Sequence, residues 1–205
     1  MSQQVTDLKP ESLWKYFHEI TQVPHPSKKE GQILEYLKKT VKGLGYEALQ
    51  DATGNLVVRK PASPGREKAP RVLLQGHVDM VCEKNKGTVH DFEKDPLKTR
   101  VDGDWIKAEG TTLGADNGIG VATALALLAA RDLVHPPLEM LFTVDEETGL
   151  TGAKGLEPGF VESEMMLNLD SEEDGVVYVG CAGGGDTVGR TRLELVPAGA
   201  GLKAV

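Results

Sequence analysis

Cysteine is scarce: Cys82 and Cys181 are the only two in 205 residues, and neither belongs to a Cys-x-x-Cys pair. That excludes a disulfide framework, and both thiols are expected to be small buried apolar side chains in a reducing compartment. Positive charge is in deficit. The formal net charge of −8 argues against a nucleic-acid partner, which calls for a basic face. No apolar run approaches the ~20 residues that span a bilayer. The opening segment from Met1 to Pro10 has no basic start leading into an apolar stretch, so it does not read as a signal peptide. Internal repeats and low-complexity tracts are absent as well. These absences predict a cytoplasmic protein with no membrane partner.

What is present is an ordinary globular composition, 40% hydrophobic and 26% charged. The length suffices for one sizeable core, or for one domain plus a fragment. Glu11–Gln22 places Leu13, Trp14, Phe17 and Ile20 on one helical stripe, closed by Pro24 and Pro26. Ser27-Lys28-Lys29-Glu30 has the form of a capping box, and Ile33, Leu34, Leu37 and Val41 line the helix it opens. Tyr46–Gln50 and Leu56–Arg59 read as strands, and Val101–Lys107 as a hairpin. Gly118–Arg131 is the clearest helix. Arg71–His77, Leu138–Val144 and Met165–Leu169 are apolar runs expected to be buried strands, with Val176–Val179 a candidate fourth. The alternation predicts the α/β class, with a mixed, largely parallel sheet flanked by helices.

The chemistry lies at the ends of those strands. His77 and Asp79 are two apart, so on extended chain they point to the same side; His77 can bind a metal while Asp79 orients a neighbour. Asp116 stands where a glycine-rich loop enters a helix. It is either a helix cap or a carboxylate bridging two metals. Glu146-Glu147 follows an apolar strand and precedes Thr148-Gly149 and Thr151-Gly152, a tight loop on which adjacent acids can diverge. One can then bind metal while the other faces the attacking water. Asp170 follows Leu167-Asn168-Leu169 and is either part of an acidic loop or a terminal ligand. Each signal is weak alone. Jointly they supply one imidazole and several carboxylates at the carboxyl ends of strands, where open α/β sheets hold their ligands.

Their order along the chain resembles the co-catalytic zinc metallopeptidases, the family that includes carboxypeptidase G-like enzymes, the tripeptidase T group and the carnosinase-like dipeptidases. Within it the aminoacyl-histidine dipeptidase group is nearest. The matching stretches are Leu13-Trp14-Lys15-Tyr16-Phe17, Pro24-His25-Pro26-Ser27, Leu74–Val81, Thr111–Gly120, Asp145–Gly149, Leu167–Asp170 and Cys181–Gly184. The resemblance implies that His77, Asp116 and Asp170 hold one Zn2+ and that Asp116 and Glu147 hold the other. It also implies that Glu146 is the general base, that Asp79 orients His77, and that the Asp116–Asn117 peptide is cis. Mn2+ or Co2+ would suit the same donors.

The family also carries a downstream histidine on the second metal, beyond an inserted lid. His18, His25, His90 and His135 do not stand in that context. By this resemblance residues 1–190 are the N-terminal part of the catalytic domain, and 191–205 begin a truncated lid (dimerisation) domain. The expected function of the complete protein is di-zinc hydrolysis of unblocked dipeptides, Xaa-His included. This chain alone is expected to be weakly active or inactive, and homodimers are expected only at full length. The alternatives are an N-acyl amino acid deacylase of the same fold and a non-catalytic metal-binding remnant.

Overall fold

A computed structural model describes residues 3–171, 173, 175–185 and 187–192. In chain order the elements are α1 (Glu11–Thr21), α2 (Gly31–Gly43), β1 (Ala48–Gln50), β2 (Leu56–Lys60), β3 (Val72–His77), β4 (Thr99–Asp102), β5 (Trp105–Ala108), α3 (Ala115–Ala129), β6 (Leu138–Thr143), α4 (Thr151–Lys154) and β7 (Met165–Asn168). The chain divides into two units, residues 1–172 and residues 173–205.

In the first unit, a sheet ordered β1-β2-β6-β3-β7 forms the floor of the core. β1 and β2 run antiparallel, as do β2 and β6; β6 pairs with β3, and β3 with β7, in parallel. The sheet is therefore mixed and flanked by helices, as expected, with the parallel half on the side of β3. β6 is buried along its whole length, as befits a central strand with an apolar run. Phe17 and Ile20 of α1, Ile33, Leu37 and Val41 of α2, and Val121, Leu125 and Leu128 of α3 are all buried in one cluster with Leu56, Leu74, Met140 and Phe142 of the sheet. Burying each such side chain is worth roughly 1.5–3 kcal/mol. β4 and β5 form a separate antiparallel hairpin.

α3 is apolar nearly all round because it lies under both α1 and the sheet. The Nζ of the buried Lys60 donates to Leu127 O and Ala130 O, each at 2.7 Å, satisfying carbonyls that the helix end leaves open. At the opposite end of the sheet from the candidate site, fully buried Glu139 accepts from Arg59 Nε at 2.8 Å and from Ser163 Oγ and Glu162 N. That network ties residues 160–163 to β6.

Several expectations are corrected. β7 is a strand but not a buried one: Met165, Met166 and Leu167 are each at least half exposed. Val176–Val179 forms no strand, and the second unit has no helix or strand among its described residues. Cys82 is only half-buried and Cys181 is exposed, so neither is the core residue expected. The helix expected over Gly118–Arg131 is present within α3, whose regular backbone follows Asn117 and ends at Ala129, and the loop after Glu147 tightens into the short helix α4. The expected start of a lid at 191–205 lies almost wholly outside the described residues. Among the described residues no helix is long and apolar enough to cross a membrane.

Candidate metal centre

Three adjacent strands set the stage. β3 ends on His77, in register with Thr143 of β6, and Gln75 of β3 is in register with Asn168 of β7. Parallel pairing therefore brings His77, the Asp145-Glu146-Glu147 segment and Asp170 to the same sheet end. α3 adds Asp116 from its first turn. His77, Asp116 and Asp170 each offer a ligand atom within 4.8 Å of the others, and so do His77, Glu146 and Glu147. The three nominated carboxylate donors and the nominated base thus converge on one imidazole, the fourth donor. Glu147 groups with His77 and Glu146, not directly with Asp116 and Asp170.

The imidazole is fully buried, and its orientation is fixed from behind. Nδ1 lies 2.9 Å from the backbone oxygen of Asp79, and 3.4 Å from Asp79 Oδ1. A carbonyl oxygen only accepts, so Nδ1 carries a proton, and Nε2 is the nitrogen free to exchange its proton for a cation. Nε2 faces Asp116 Oδ1 at 2.8 Å and Asp170 Oδ1 at 3.6 Å. Burial disfavours a charged ring, yet hydrogen bonding to Asp170, Asp79 and Asp116 outweighs it and pushes the His77 pKa up to about 11. The field that would hold a proton there would equally hold a metal. Burial alone would raise Asp79, but His77, the Glu146 amide and Ser27 hold it down to about 2. Burial raises Glu146 and Glu147, and the neighbouring carboxylates push the same way against His77.

Asp116 does not cap its helix. The N-cap is Gly114, in the left-handed region at φ 67°, and no side chain caps there. The backbone departs from helical angles at Asp116 and Asn117, and the peptide between them is cis. This turn aims the Asp116 carboxylate at His77 and buries the Asn117 amide. Asn117 Nδ2 donates to Leu169 O at 2.6 Å and to Asp170 Oδ1 at 3.0 Å, so Asn117 aims the second carboxylate. Gly76 and Gly120 leave the space Asn117 occupies, since a Cβ on either would collide with its Oδ1.

Ser27-x-x-Glu30 is not a capping box. No side chain caps α2. Ser27 Oγ instead donates to Asp79 Oδ2 at 2.7 Å, and Glu30 Oε1 accepts from Asp145 N at 3.0 Å. Asp79 itself accepts from Glu146 N at 2.9 Å and Glu147 N at 3.2 Å. Ser27, Glu30 and Asn117 are thus residues of the site that pattern reading assigned elsewhere or passed over. His25 is buried with Nδ1 2.5 Å from Val23 O, and His90 packs edge-on against Phe92.

The donor set fits a metal. Among the described residues no Lys or Arg pairs with Asp116, Glu146, Glu147 or Asp170. Oxygen donors with one imidazole and no protein counter-charge suit a divalent cation.

Residues 73–194 match the peptidase family M20/M25/M40. The chain belongs to this family. Over 198 residues this M20 chain is 49% identical to the cytosol non-specific dipeptidase of Escherichia coli, covering 96% of the chain and 41% of that relative. It is also similar to the crystal structure of an aminoacylhistidine dipeptidase from Vibrio alginolyticus, with a TM-score of 0.83 and 47% identity over 84% of the chain and 35% of that structure. A tripeptidase from Staphylococcus aureus gives a TM-score of 0.67 at 26% identity, over 80% of the chain and 44% of that structure. The M20 chain thus spans less than half the length of these relatives. Family membership implies a metal cofactor, in keeping with the donor set.

Proposed function

We propose that the chain carries most of the active centre of a di-zinc dipeptidase acting on unblocked dipeptides, Xaa-His among them, and that a protein of its relatives' length has that activity in the cytosol. The single observation that carries the proposal is the convergence of Asp116, Asp170, Glu146 and Glu147 on His77, with no Lys or Arg paired to those four carboxylates among the described residues. His77, Asp116 and Asp170 would hold one zinc, and Asp116 and Glu147 the other. When bound, the ions supply Lewis acidity, acidifying the attacking water and polarising the scissile carbonyl. Glu146 takes the proton from that water and delivers it to the leaving amine nitrogen. Asp79 and Asn117 keep the donors aimed. The names of the E. coli and Vibrio relatives support the dipeptide class.

The test is a substrate panel on the protein at its relatives' length, comparing dipeptides with a free α-amino group against N-acetyl amino acids. Dipeptide turnover is expected. Preference for the N-acetyl compounds would transfer the site to a deacylase. Glu146→Gln is expected to lower kcat by about 10²–10⁴ while zinc stoichiometry is retained. Unchanged turnover would remove Glu146 from the base role.

A further inference from the structure

The first unit holds a second acidic cluster. Glu30, Asp79 and Asp145 are all buried and bring carboxylate oxygens within 4.8 Å of one another. Three buried carboxylates at that spacing need compensation. Backbone and hydroxyl donors provide it. Glu30 Oε1 accepts from Lys28 N at 2.8 Å and from Asp145 N at 3.0 Å. Asp79 takes the amides of Glu146 and Glu147 and the hydroxyl of Ser27. Asp145 accepts from Thr148 Oγ1 at 2.6 Å and from Thr151 Oγ1. Both oxygens of Asp79, both of Asp145 and Oε1 of Glu30 are taken up by donors, so the cluster reads as a hydrogen-bonded brace.

Three of those donors come from one stretch of backbone. Asp145, Glu146 and Glu147 are consecutive, and their three amides all point into the cluster. Asp145 itself adopts φ 49°, in the left-handed region that a non-glycine residue holds only when its surroundings enforce it. Opposite them, Lys28 adopts φ 67° between Ser27 and Glu30. The two turns grip each other: Ser27 holds Asp79, and Glu30 holds Asp145. The segment ahead of α2 is thus fastened to the loop that carries both functional glutamates.

We propose that Glu30 is a positioning residue. Its carboxylate, anchored at the start of α2, sets the backbone of Asp145–Glu147 and thereby the aim of the Glu147 ligand and the Glu146 base. The assignment of roles to those glutamates rests on the function proposed above. The brace itself does not, and the test separates the two. Glu30→Ala removes the acceptor; Glu30→Gln keeps an acceptor oxygen at the same reach and serves as the rescue.

Amide hydrogen exchange is measured by NMR on the metal-free chain, followed by zinc titration calorimetry. In Glu30→Ala the amides of Asp145, Glu146 and Glu147 are expected to exchange about tenfold faster or more while those of Leu37 and Val41 are unchanged. Glu30→Gln is expected to restore most of the protection. Zinc affinity at the Glu147 side is expected to fall about tenfold in Glu30→Ala, with the His77–Asp116–Asp170 side kept. Wild-type exchange at all three amides in a folded Glu30→Ala chain overturns the brace. Faster exchange with unchanged zinc affinity overturns the positioning role. If Glu30→Ala unfolds globally, Glu30→Gln and Ser27→Ala decide by the same exchange readout: loosening at 145–147 in Ser27→Ala alone supports the grip, and its absence in both overturns it. A wild-type chain that binds no zinc withdraws the metal roles given to His77, Asp116, Glu147 and Asp170 in this chain, and the exchange pattern still judges the brace.

Discussion

Gly120→Ala sets two effects of opposite sign against each other. Gly120 lies inside α3, where replacing glycine by alanine ordinarily stabilises a helix by about 1 kcal/mol. Here the new Cβ would stand 3.0 Å from Asn117 Cγ and 3.1 Å from Leu169 Cβ, and closer still to Asn117 Oδ1. Asn117 has nowhere to go: its Nδ2 is fixed to Leu169 O and Asp170 Oδ1, and Gly76 closes on it from the sheet. Overpacking of this kind costs about 1–3 kcal/mol. Displacing the amide also loses a hydrogen bond to a carboxylate and leaves a carbonyl without its donor, about 1–3 kcal/mol more. The steric and hydrogen-bond losses win, by about 1–5 kcal/mol.

For a chain of this size that is a drop in Tm of roughly 2–20 °C, at about 2–4 °C per kcal/mol. Zinc affinity should fall with it, because Asp170 loses the group that aims it. Gly118→Ala is the control, since its nearest neighbour would be Phe17 Cε2 at an ordinary 3.5 Å. There the helix term should prevail, with a gain of up to about 1 kcal/mol. The assay is scanning calorimetry of both variants without metal, followed by zinc titration. A Gly120→Ala chain that melts above wild type with undiminished zinc affinity would refute the packing argument.

Two further outcomes are expected. Asp116→Ala removes the carboxylate 2.8 Å from His77 Nε2 and should abolish saturable zinc binding in calorimetry; retained binding would show that the site assembles without it. Glu139→Ala leaves Arg59 and Arg71 against an empty buried position and should cost about 3 kcal/mol, the low end for a broken buried pair because both guanidinium groups are about a third exposed. Burial opposes its ionisation, but Ser163, Arg59 and the Glu162 amide hold the Glu139 carboxyl below its ordinary 4.5. Its contribution is therefore complete above pH 4.5 and lost as the pH falls through the lower folded value. Denaturant titrations across that range should show wild type losing its advantage over Glu139→Gln, and a constant difference would refute the sign.

The parallel strands were legible because each is a short apolar run that stops abruptly at a polar residue. That same feature put His77, Asp145–Glu147 and Asp170 at one sheet end. Other features were ambiguous in principle. The burial of Met165–Leu167 depends on what covers the strand, which its own side chains do not encode. Asp116 before a helix reads equally as cap or ligand, and only the turn after Gly114 chooses. Ser27-x-x-Glu30 is a local pattern with a local meaning, yet both side chains are drawn to partners 52 and 115 residues away. Tertiary demand overrides capping there because the buried Asp79 and the Asp145 amide must be satisfied, whereas a helix N-terminus near the surface has water to serve it.

Asp79 shows why the ligands and the base behave as one unit. The resemblance has Asp79 orient His77, and its backbone oxygen lies 2.9 Å from Nδ1 with Oδ1 at 3.4 Å, while the carboxylate oxygens also accept the Glu146 and Glu147 amides and the Ser27 hydroxyl. A single residue therefore fixes the imidazole through its main chain and the acidic loop through its side chain. Since Asp79 is 1% exposed, neither hold can be taken over by water, and a displacement of one moves the other. The separation between ligand and base is thus set at the end of β3, by a residue that need not touch metal or substrate itself.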